Sequence, residues 1–497
     1  MPDKFYITTT TPYVNAAMHV GHALEFIQAD AIARYNRLLG KEVVFNTGTD
    51  EHGLKIYRKA LEKKKSPKKY TDEYAKKFKY VIDTLNVSYT HLIRTTDKHH
   101  EKAAQEFWKL CDKNGDIYKK EYKVKYCVGC ELEKTDSELK NGCCPIHPNL
   151  KIEIIEEENY FFKFSNYQDK LLKLYKDHPD FVIPDFRLKE ITNFVKYGLN
   201  DFSISRLKKK MPWGIPVPGD KDHVMYVWFD ALVNYISTLG WPENKKNFNK
   251  FWPGFQIAGK DNLRQQTAIW QAMLMSAGLP TSKQVMIHGF INMKGQKISK
   301  SLGNVIDPVI LAKKYGVDAL RYWLLREINP FEDGDFTIER FEERHTSDLA
   351  NNLGNLVSRI SKLIDSKMGK ELVFKQKFMH KRVMDEIEKT HTIYHRKMEK
   401  LKLNEALSAI WSLLTFSNAY IDEKKPWETV ESDPNEFITT MTSMTRLLLE
   451  VSNLIEPFMP ETSKKIKKMF DVKKQIKKWE GTRFVVNNIK PLFPRIK

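Results

Sequence analysis

The sequence predicts an α/β catalytic domain of the Rossmann type that is split by a metal-bearing insertion and followed by an all-α domain. Three observations predict this fold class. Strand-like runs alternate with helical stretches over residues 1–115, as in a parallel α/β sheet. Cysteines and a histidine cluster within residues 127–147, where that alternation stops. From residue 346 to near the C-terminus, apolar residues recur at helical spacing.

The first element carries a candidate nucleotide site. An apolar, β-rich run at residues 5–9 precedes His19-Val20-Gly21-His22, which opens a helical pattern. The N–H groups and the macrodipole at a helix N-terminus attract phosphate. His19 and His22 are three residues apart, so they share a helix face and can both donate to one triphosphate. Gly21 lets a flat base approach the backbone closely.

The insertion carries a candidate metal site. Cys127-Val-Gly-Cys130 and Cys144-Pro-Ile-His147 are two close pairs of soft ligands separated by thirteen residues, a spacing typical of tetrahedral Zn²⁺. Four protein ligands leave no position for water, which predicts one structural zinc ion. Iron is an alternative metal, and Cys143 is an alternative to Cys144.

After the insertion, the α/β pattern resumes with strand-like runs at residues 225–229, 255–258 and 284–287. Lys297-Ile298-Ser299-Lys300-Ser301 follows in a polar loop flanked by glycines. Its two lysines can close over pyrophosphate, so this loop is a second candidate for phosphate binding.

Composition limits the class of protein. Lys and Arg number 82 against 63 Asp and Glu, and the net charge of +19 fits a polyanionic partner, although a lysine-rich proteome would give the same excess. No apolar run approaches the ~18 residues of a membrane span, and no signal peptide precedes residue 5. The five cysteines, four of them within residues 127–144, argue against a disulfide framework and predict a cytoplasmic protein.

Nearly the whole chain resembles the methionyl-tRNA synthetases of the compact kind. The HVGH and KISKS segments are similar to the HIGH and KMSKS motifs of class I aminoacyl-tRNA synthetases. Further matches are NTGTDEHG at 46–53, WGIPVP at 213–218, YVWFDALVNY at 226–235, GKD at 259–261, KPW at 425–427 and PLFPR at 491–495.

The resemblance implies a domain order. It comprises a Rossmann catalytic domain at 1–115 and 226–295, a zinc-bearing connective insertion at 116–225, a KISKS loop and stem-contact segment at 296–345, and a helical anticodon-binding domain at 346–497. The dimerisation domain appended in some relatives is missing from this sequence, so a monomer is expected.

The resemblance also implies a two-step reaction. The methionine carboxylate attacks the α-phosphate of Mg²⁺-bound ATP and releases pyrophosphate, and the methionyl group then passes to the 2′-hydroxyl of the terminal ribose of tRNA(Met). Such chemistry depends on alignment and on neutralising charge as it develops. The implied catalytic residues are His19, His22, Lys297 and Lys300. The implied ATP-binding residues are these four together with Gly21, Gly259 and Asp261.

Two further sets of residues are assigned by the same resemblance. For methionine, Asp50 would bind the ammonium group and Arg206 would lie near the carboxylate, while the other implied residues are Tyr13, Trp228, Ala231, Tyr235, Asn262 and Gln266. The implied anticodon-binding residues are Asn351, Asn355, Arg359 and Trp427. As alternatives, Asp50 caps the next helix, the asparagines solvate a helix, and Trp427 belongs to the core.

One segment departs from the family pattern. Asn262, Gln265 and Gln266 stand where the family has Ile, Phe and His, which affects the wall of the methionine pocket. The sequence therefore also allows a class I synthetase for another apolar amino acid. A catalytically silent tRNA-binding paralogue is a third hypothesis, against which the intact HVGH and KISKS segments argue.

Overall fold

The structure is a computed structural model that describes residues 3–15, 17–130, 132–293, 295–297, 306–369, 371–474, 481, 483–487, 489–494 and 496. The chain divides into two compact units. Unit 1 contains residues 1–18, 40–83 and 87–288, and unit 2 contains residues 19–39, 84–86 and 289–497. No helix in the described part of the chain is long and apolar enough to span a membrane.

The elements follow one another in the order below. The strands are β1 (Lys4–Thr8), β2 (Glu42–Thr49), β3 (His91–Arg94), β4 (Ile117–Cys127), β5 (Leu132–Lys134), β6 (Glu153–Phe162), β7 (Val182–Ile183), β8 (Phe202–Ser203), β9 (Ser205–Leu207), β10 (His223–Met225), β11 (Phe255–Gly259), β12 (Gln284–His288), β13 (Ile291–Met293), β14 (Gln296–Lys297), β15 (Gly334–Phe336), β16 (Glu371–Val373), β17 (Phe470–Lys474) and β18 (Arg483–Val486). The α-helices are α1 (Val20–Leu38), α2 (Leu54–Glu62), α3 (Pro67–Thr84), α4 (Lys98–Lys113), α5 (Gln168–Asp177), α6 (Asp185–Lys196), α7 (Val227–Leu232), α8 (Asn234–Ser237), α9 (Lys245–Phe251), α10 (Trp270–Ser276), α11 (Pro308–Tyr315), α12 (Val317–Arg326), α13 (Ile338–Arg344), α14 (Asn355–Lys367), α15 (Lys381–Glu399), α16 (Leu403–Lys424), α17 (Pro426–Ser432), α18 (Pro434–Ile455) and α19 (Pro460–Met469). Short 3₁₀ turns cover Asp136–Glu138, Phe164–Tyr167, Lys260–Asn262 and Gln376–Phe378, and π-helical segments cover Gln265–Ile269 and His345–Gly354.

Unit 1 is built on a parallel sheet in the order β3-β2-β1-β11-β12-β7. The chain runs outward from β1 through β2 to β3, and later returns to the other side of β1 with β11 and β12. This reversal confirms the predicted Rossmann-type domain. Ligands of such sheets bind beyond the carboxyl ends of the strands, beside the point of reversal. The loops after β1, β2 and β11 therefore border the expected site.

The insertion in unit 1 is an antiparallel sheet in the order β5-β4-β6-β8. The long pair β4 and β6 carries the cysteine cluster in the connection between its strands. The edge strand β7, which also lies within residues 116–225, joins the parallel sheet.

The prediction of a strand at residues 225–229 is wrong, because β10 ends at Met225 and α7 begins at Val227. A short apolar run does not by itself distinguish a strand from a buried helix.

Unit 2 confirms the predicted helical domain, formed by α14 to α19. It also contains a small antiparallel sheet in the order β16-β18-β17, which the sequence reasoning missed. The strands of this sheet are five residues or shorter, too short for an alternating pattern to stand out from the flanking helices.

Within unit 2, a buried arginine fixes α1, the helix that the HVGH segment opens. The guanidinium of Arg321, fully buried, lies 2.7 Å from a carboxylate oxygen of Asp30 on α1. It also donates to the carbonyl oxygens of Leu85, Pro457 and Phe458. A buried charge needs such complete pairing, because removing one partner of a buried ion pair lowers the free energy of unfolding by about 3–5 kcal/mol.

Candidate active site and metal centre

The predicted metal ligands come together in the connection between β4 and β6. The ligand atoms of Cys127, Cys130, Cys144 and His147 all lie within 4.8 Å of one another. The Sγ atom of Cys130 is 3.4 Å from Sγ of Cys144 and 3.2 Å from Nδ1 of His147. Metal–ligand bonds of about 2.0–2.3 Å require separations of this order in a tetrahedral site. The donor set therefore fits a metal ion.

The same cluster resolves the choice between the two adjacent cysteines. Cys144 is fully buried within the ligand group, whereas Cys143 does not belong to it. A tight turn, in which the His147 N–H donates to the carbonyl oxygen of Cys144 over 3.0 Å, aligns the second ligand pair. Gly129 is required in the first pair, because a Cβ atom there would lie 2.5 Å from the His147 ring.

In unit 2, the HVGH segment forms the N-terminus of α1. His19 is the N-cap in an extended conformation, and its Nδ1 accepts a hydrogen bond from the Gly21 N–H over 3.1 Å. His22 lies at the third helical position, and its Nδ1 accepts from the His19 N–H over 3.3 Å. The ring centroids are 4.0 Å apart. The two imidazoles thus form a reciprocal capping box, in which they replace the usual Ser and Glu.

This capping box fixes the tautomer of both rings. A ring nitrogen that accepts a backbone N–H carries no proton, so the proton of each neutral imidazole is on Nε2. Both side chains are half-buried, and the pair presents N–H donors at a positive helix end. A Cβ atom at Gly21 would lie 2.9 Å from the His19 ring, so a larger residue would displace that ring.

The candidate methionine site begins at the carboxyl ends of β1 and β2. Tyr13 and Asp50 form an isolated parallel bridge, in which the Asp50 N–H donates to the Pro12 carbonyl oxygen and the Val14 N–H donates to the Asp50 carbonyl oxygen. Asp50 is only 5% exposed to solvent. The carboxylate of Asp50 is therefore largely shielded from solvent.

Aromatic side chains continue this site. The rings of Tyr13 and Trp228 meet edge to face, with centroids 6.5 Å apart. The indole Nε1 of Trp228 is buried and has no hydrogen-bond partner among the described residues. Trp228, Ala231 and Tyr235 follow one another at spacings of three and four residues through α7 and α8, so they share a face. Aromatic walls of this kind pack well against a thioether sulfur.

Gln266, which lies on a different element, contacts Tyr235. Its Nε2 donates to the Tyr235 hydroxyl over 2.7 Å, and both residues are 2% exposed. Gln266 lies in the π-helical segment Gln265–Ile269, and its carbonyl oxygen accepts from Gln271. Single π-helical turns are frequent at functional sites. The glutamine that departs from the family pattern is thus part of a buried polar network.

Arg206, the candidate for the methionine carboxylate, is held by stacking. Its guanidinium lies 5.1 Å from the Tyr126 ring centroid and 4.5 Å from that of Tyr226, the N-cap of α7. One of its nitrogens donates to the Ser203 hydroxyl and to the Ser205 carbonyl oxygen, each over 2.7 Å. This arrangement keeps a 5% exposed cation paired and oriented.

The structure describes some of the remaining candidate residues for phosphate and ribose binding. Gly259 ends β11, and Asp261 lies in the 3₁₀ turn that follows, with its carboxylate accepting from Asn262 over 3.2 Å. Lys297 ends β14, which pairs with β13, but its side chain lies outside the described part of the structure. Lys300 lies outside the described residues altogether. In unit 2, the Val20 N–H donates to the carbonyl oxygen of Ile306 over 3.0 Å, shortly beyond the KISKS segment.

The candidate anticodon residues lie in unit 2. Asn351 and Asn355 are exposed, the first in the segment His345–Gly354 and the second at the start of α14. The Arg359 guanidinium lies 5.5 Å from the centroid of the Trp427 ring and pairs with Asp422. Trp427 is 44% exposed, so it is not a core residue. The structure brings Arg359 and Trp427 together into a cationic and aromatic surface.

The two residues that follow Asp50 make buried contacts that were not predicted from the sequence. Glu51 is fully buried, and its carboxylate pairs with Arg94 over 2.7 and 2.8 Å and accepts from Thr96. His52 Nδ1 lies 3.2 Å from the carboxylate of Asp230 on α7. Burial alone would lower the pKa of His52, but the charge of Asp230 outweighs it and raises this pKa. Consecutive polar residues directly after a buried strand were the available signal.

Comparisons with known proteins agree over the whole chain. The family model described as tRNA synthetases class I (M) matches residues 5–153 and 135–361, and the model of the anticodon binding domain of methionyl tRNA ligase matches residues 375–490. The methionine–tRNA ligase of Caldanaerobacter subterraneus is 43% identical over 511 residues, which cover 100% of this chain and 79% of that protein. The methionine–tRNA ligase of Thermotoga maritima is 43% identical over 470 residues, which cover 93% of this chain and 74% of that protein. The solved structure of the Mycobacterium tuberculosis methionyl-tRNA synthetase in complex with methionyl-adenylate matches this chain with a TM-score of 0.93 at 35% identity. The match covers 99% of this chain and 100% of that chain.

Proposed function

The chain belongs to the methionyl-tRNA synthetase family of class I aminoacyl-tRNA synthetases, and from this premise we propose how its residues carry out the reaction. The enzyme activates methionine with ATP to methionyl-adenylate and transfers the methionyl group to tRNA. The two alternative functions, a synthetase for another apolar amino acid and a silent tRNA-binding paralogue, are not favoured by relatives that are methionine–tRNA ligases over the full chain.

In the proposed first step, Asp50 binds the methionine ammonium group and Arg206 its carboxylate, while Trp228, Ala231 and Tyr235 surround the thioether. His19 and His22 donate from Nε2 to the phosphates of Mg²⁺-bound ATP, and Lys297 and Lys300 neutralise the departing pyrophosphate. Gly259 and Asp261 hold the ATP ribose. Donors that are fixed before the reaction stabilise developing charge without reorganisation, which accelerates such steps most.

The observation that supports this assignment most is the edge-to-face contact of Trp228 with Tyr13, the residue that pairs with Asp50 through the backbone. Tyr235, which shares the helix face of Trp228 by its spacing, accepts a hydrogen bond from Gln266. A carboxylate for an ammonium group thus lies near aromatic side chains for an apolar side chain. Asn262, which contacts Asp261, would form the polar rim between the methionine and ATP sites.

Amino-acid-dependent exchange of pyrophosphate with ATP tests the proposal. Methionine is compared with leucine, isoleucine, valine, cysteine and glutamine at equal concentrations. Exchange with methionine above all others is expected, and it would show that Gln266 serves in a variant pocket. A stronger response to another amino acid would contradict the assignment of the pocket.

We further propose that the Cys₃His cluster holds one Zn²⁺ ion. Thiolate and imidazole ligands select Zn²⁺ over Mg²⁺ or Ca²⁺, and four protein ligands leave no open coordination position, so the ion would be structural. The free thiols that this site requires also support a cytoplasmic location.

The monomer expected from the sequence stays a prediction. Light scattering would test it by comparing the mass in solution with the chain mass of 58.3 kDa.

Cys144→Ser is expected to abolish zinc binding, because a serine hydroxyl is a poor substitute for a thiolate ligand. Elemental analysis after dialysis should find about one zinc ion per chain in the parent protein and almost none in the variant. The adjacent Cys143→Ser is the matched control and should keep its zinc, since Cys143 lies outside the ligand group. Equal zinc contents in the two variants would contradict the ligand assignment.

Trp427→Ala is expected to weaken recognition of the anticodon, because stacking of a base on an exposed aromatic ring is worth ~1–3 kcal/mol. Aminoacylation kcat/KM for tRNA should fall by about 5- to 150-fold, while pyrophosphate exchange remains unchanged. Trp427→Phe keeps an aromatic face and should retain most of the efficiency. If the alanine variant charges tRNA at the parental rate, Trp427 is not an anticodon contact.

A further inference from the structure

A lysine on α2 connects the Cys₃His cluster to the candidate methionine pocket within unit 1. The two segments that carry the cluster, residues 127–130 and 144–147, are called the knuckle. The Nζ atom of Lys55 donates to the carbonyl oxygen of Gly129 over 2.9 Å. The same ammonium lies 5.5 Å from the centroid of the Tyr13 ring. One half-buried cation thus contacts the backbone between two metal ligands and an aromatic residue of the pocket.

Both ends of this connection are fixed by their surroundings. Gly129 lies between Cys127 and Cys130, and its Cα packs so closely on the His147 ring that an added Cβ atom would lie 2.5 Å from it. The position of its carbonyl oxygen therefore depends on the ligand cluster. At the other end, Tyr13 is paired to Asp50 by backbone hydrogen bonds. A force on the Tyr13 ring therefore acts on the segment that carries the candidate ammonium ligand.

The neighbouring side chains of α2 behave differently. Arg58, one turn further, pairs with Glu153 on β6, but both side chains are about two-fifths exposed, at 43% and 40%, and screening makes such a pair weak. Lys59 pairs with Glu62 on its own helix. Lys55, by contrast, contacts both the Gly129 carbonyl oxygen and the Tyr13 ring.

We infer that Lys55 is a positioning residue that couples the knuckle loop to the methionine pocket by holding the Tyr13 ring and, through it, Asp50. This inference rests on the proposed assignment of Tyr13 and Asp50 to methionine. The contact between the ammonium and the ring is of the cation–π type, which is stronger when it is shielded from water. Its loss should weaken methionine binding and leave ATP binding and the chemical step nearly unaffected.

The test measures methionine affinity by equilibrium dialysis, the kinetics of pyrophosphate exchange, and zinc content, all on the full chain. Lys55→Met keeps the aliphatic stem and is expected to raise the Kd and KM for methionine about tenfold. The kcat, the KM for ATP and the zinc content should change less than about twofold. Lys55→Arg keeps the charge and a donor and should restore most of the affinity. Arg58→Met and Lys59→Met are the matched controls and should bind methionine like the parent.

A double-mutant cycle makes the assignment specific. In a Tyr13→Leu background there is no ring to hold, so Lys55→Met should cause no further loss of methionine affinity. If Tyr13→Leu weakens methionine binding but Lys55→Met does not, the coupling is wrong while the pocket assignment stands. If Tyr13→Leu itself leaves methionine affinity unchanged, the pocket assignment fails and the inference fails with it. Loss of zinc from Lys55→Met would assign Lys55 to the stability of the knuckle and also overturn the coupling.

Discussion

Replacing His22 with alanine is expected to lower the kcat of methionine-dependent pyrophosphate exchange by about 10²- to 10³-fold, the usual cost of removing one preorganised donor to a developing anion. The His22 ring lies at the third position of α1, and its Nδ1 accepts from the His19 N–H, so the neutral ring carries its proton on Nε2, the atom that we propose donates to phosphate. The affinity for methionine should remain within about twofold, because the loss is confined to the transition state.

The fixed tautomer allows a sharper test with two amides. The side-chain amide of glutamine reaches about as far as Nε2, whereas that of asparagine corresponds to Nδ1. His22→Gln should therefore retain more exchange activity than His22→Asn, although the two replacements are equally polar. His99→Ala, on the exposed start of α4, serves as the control and should leave the kcat unchanged. Equal activities of the two amide variants would mean that Nε2 does not contact the phosphates.

The local part of this site was predictable from the sequence because its signals are local. A β-rich run followed by closely spaced histidines predicted the strand and the helix N-terminus, and two pairs of possible ligands with zinc-site spacing predicted the Cys₃His cluster. The structure added the reciprocal cap between His19 and His22, which is not a standard capping sequence. It also decided between Cys143 and Cys144, since only the fold determines which of two adjacent sulfurs points at the cluster.

The long-range part of the site was not predictable. The pairing of Glu51 with Arg94 spans 43 residues, and that of Lys55 with Gly129 spans 74. Nothing in a single sequence indicates which of 82 cations meets which partner. The motif resemblance proposed Tyr13 and Asp50 as methionine-binding residues but gave no reason for their proximity, which comes from parallel strands that end at the same edge of the sheet.

Asp50→Asn is expected to raise the KM for methionine by about 10- to 150-fold, because a charge-assisted hydrogen bond contributes ~1.5–3 kcal/mol. The substitution keeps the shape of the side chain and leaves the backbone pairing with Tyr13 in place. The KM for ATP should therefore remain within about twofold of the parental value. Exchange kinetics at saturating ATP measure the effect. Asp112→Asn, on the exposed face of α4, is the control for removing one negative charge.

The α-hydroxy analogue of methionine separates a role in binding from a role in folding. This analogue has a hydroxyl in place of the ammonium group, so it lacks the charge that Asp50 would bind. The parent enzyme should prefer methionine to the analogue, and Asp50→Asn should remove most of that preference by weakening methionine alone. The alternative that Asp50 caps α2 is wrong, because the N-cap of α2 is Gly53 and no side chain caps it. If the variant instead loses affinity for both compounds to the same extent, Asp50 acts on the structure of the loop before α2, and the ammonium ligand must be sought elsewhere.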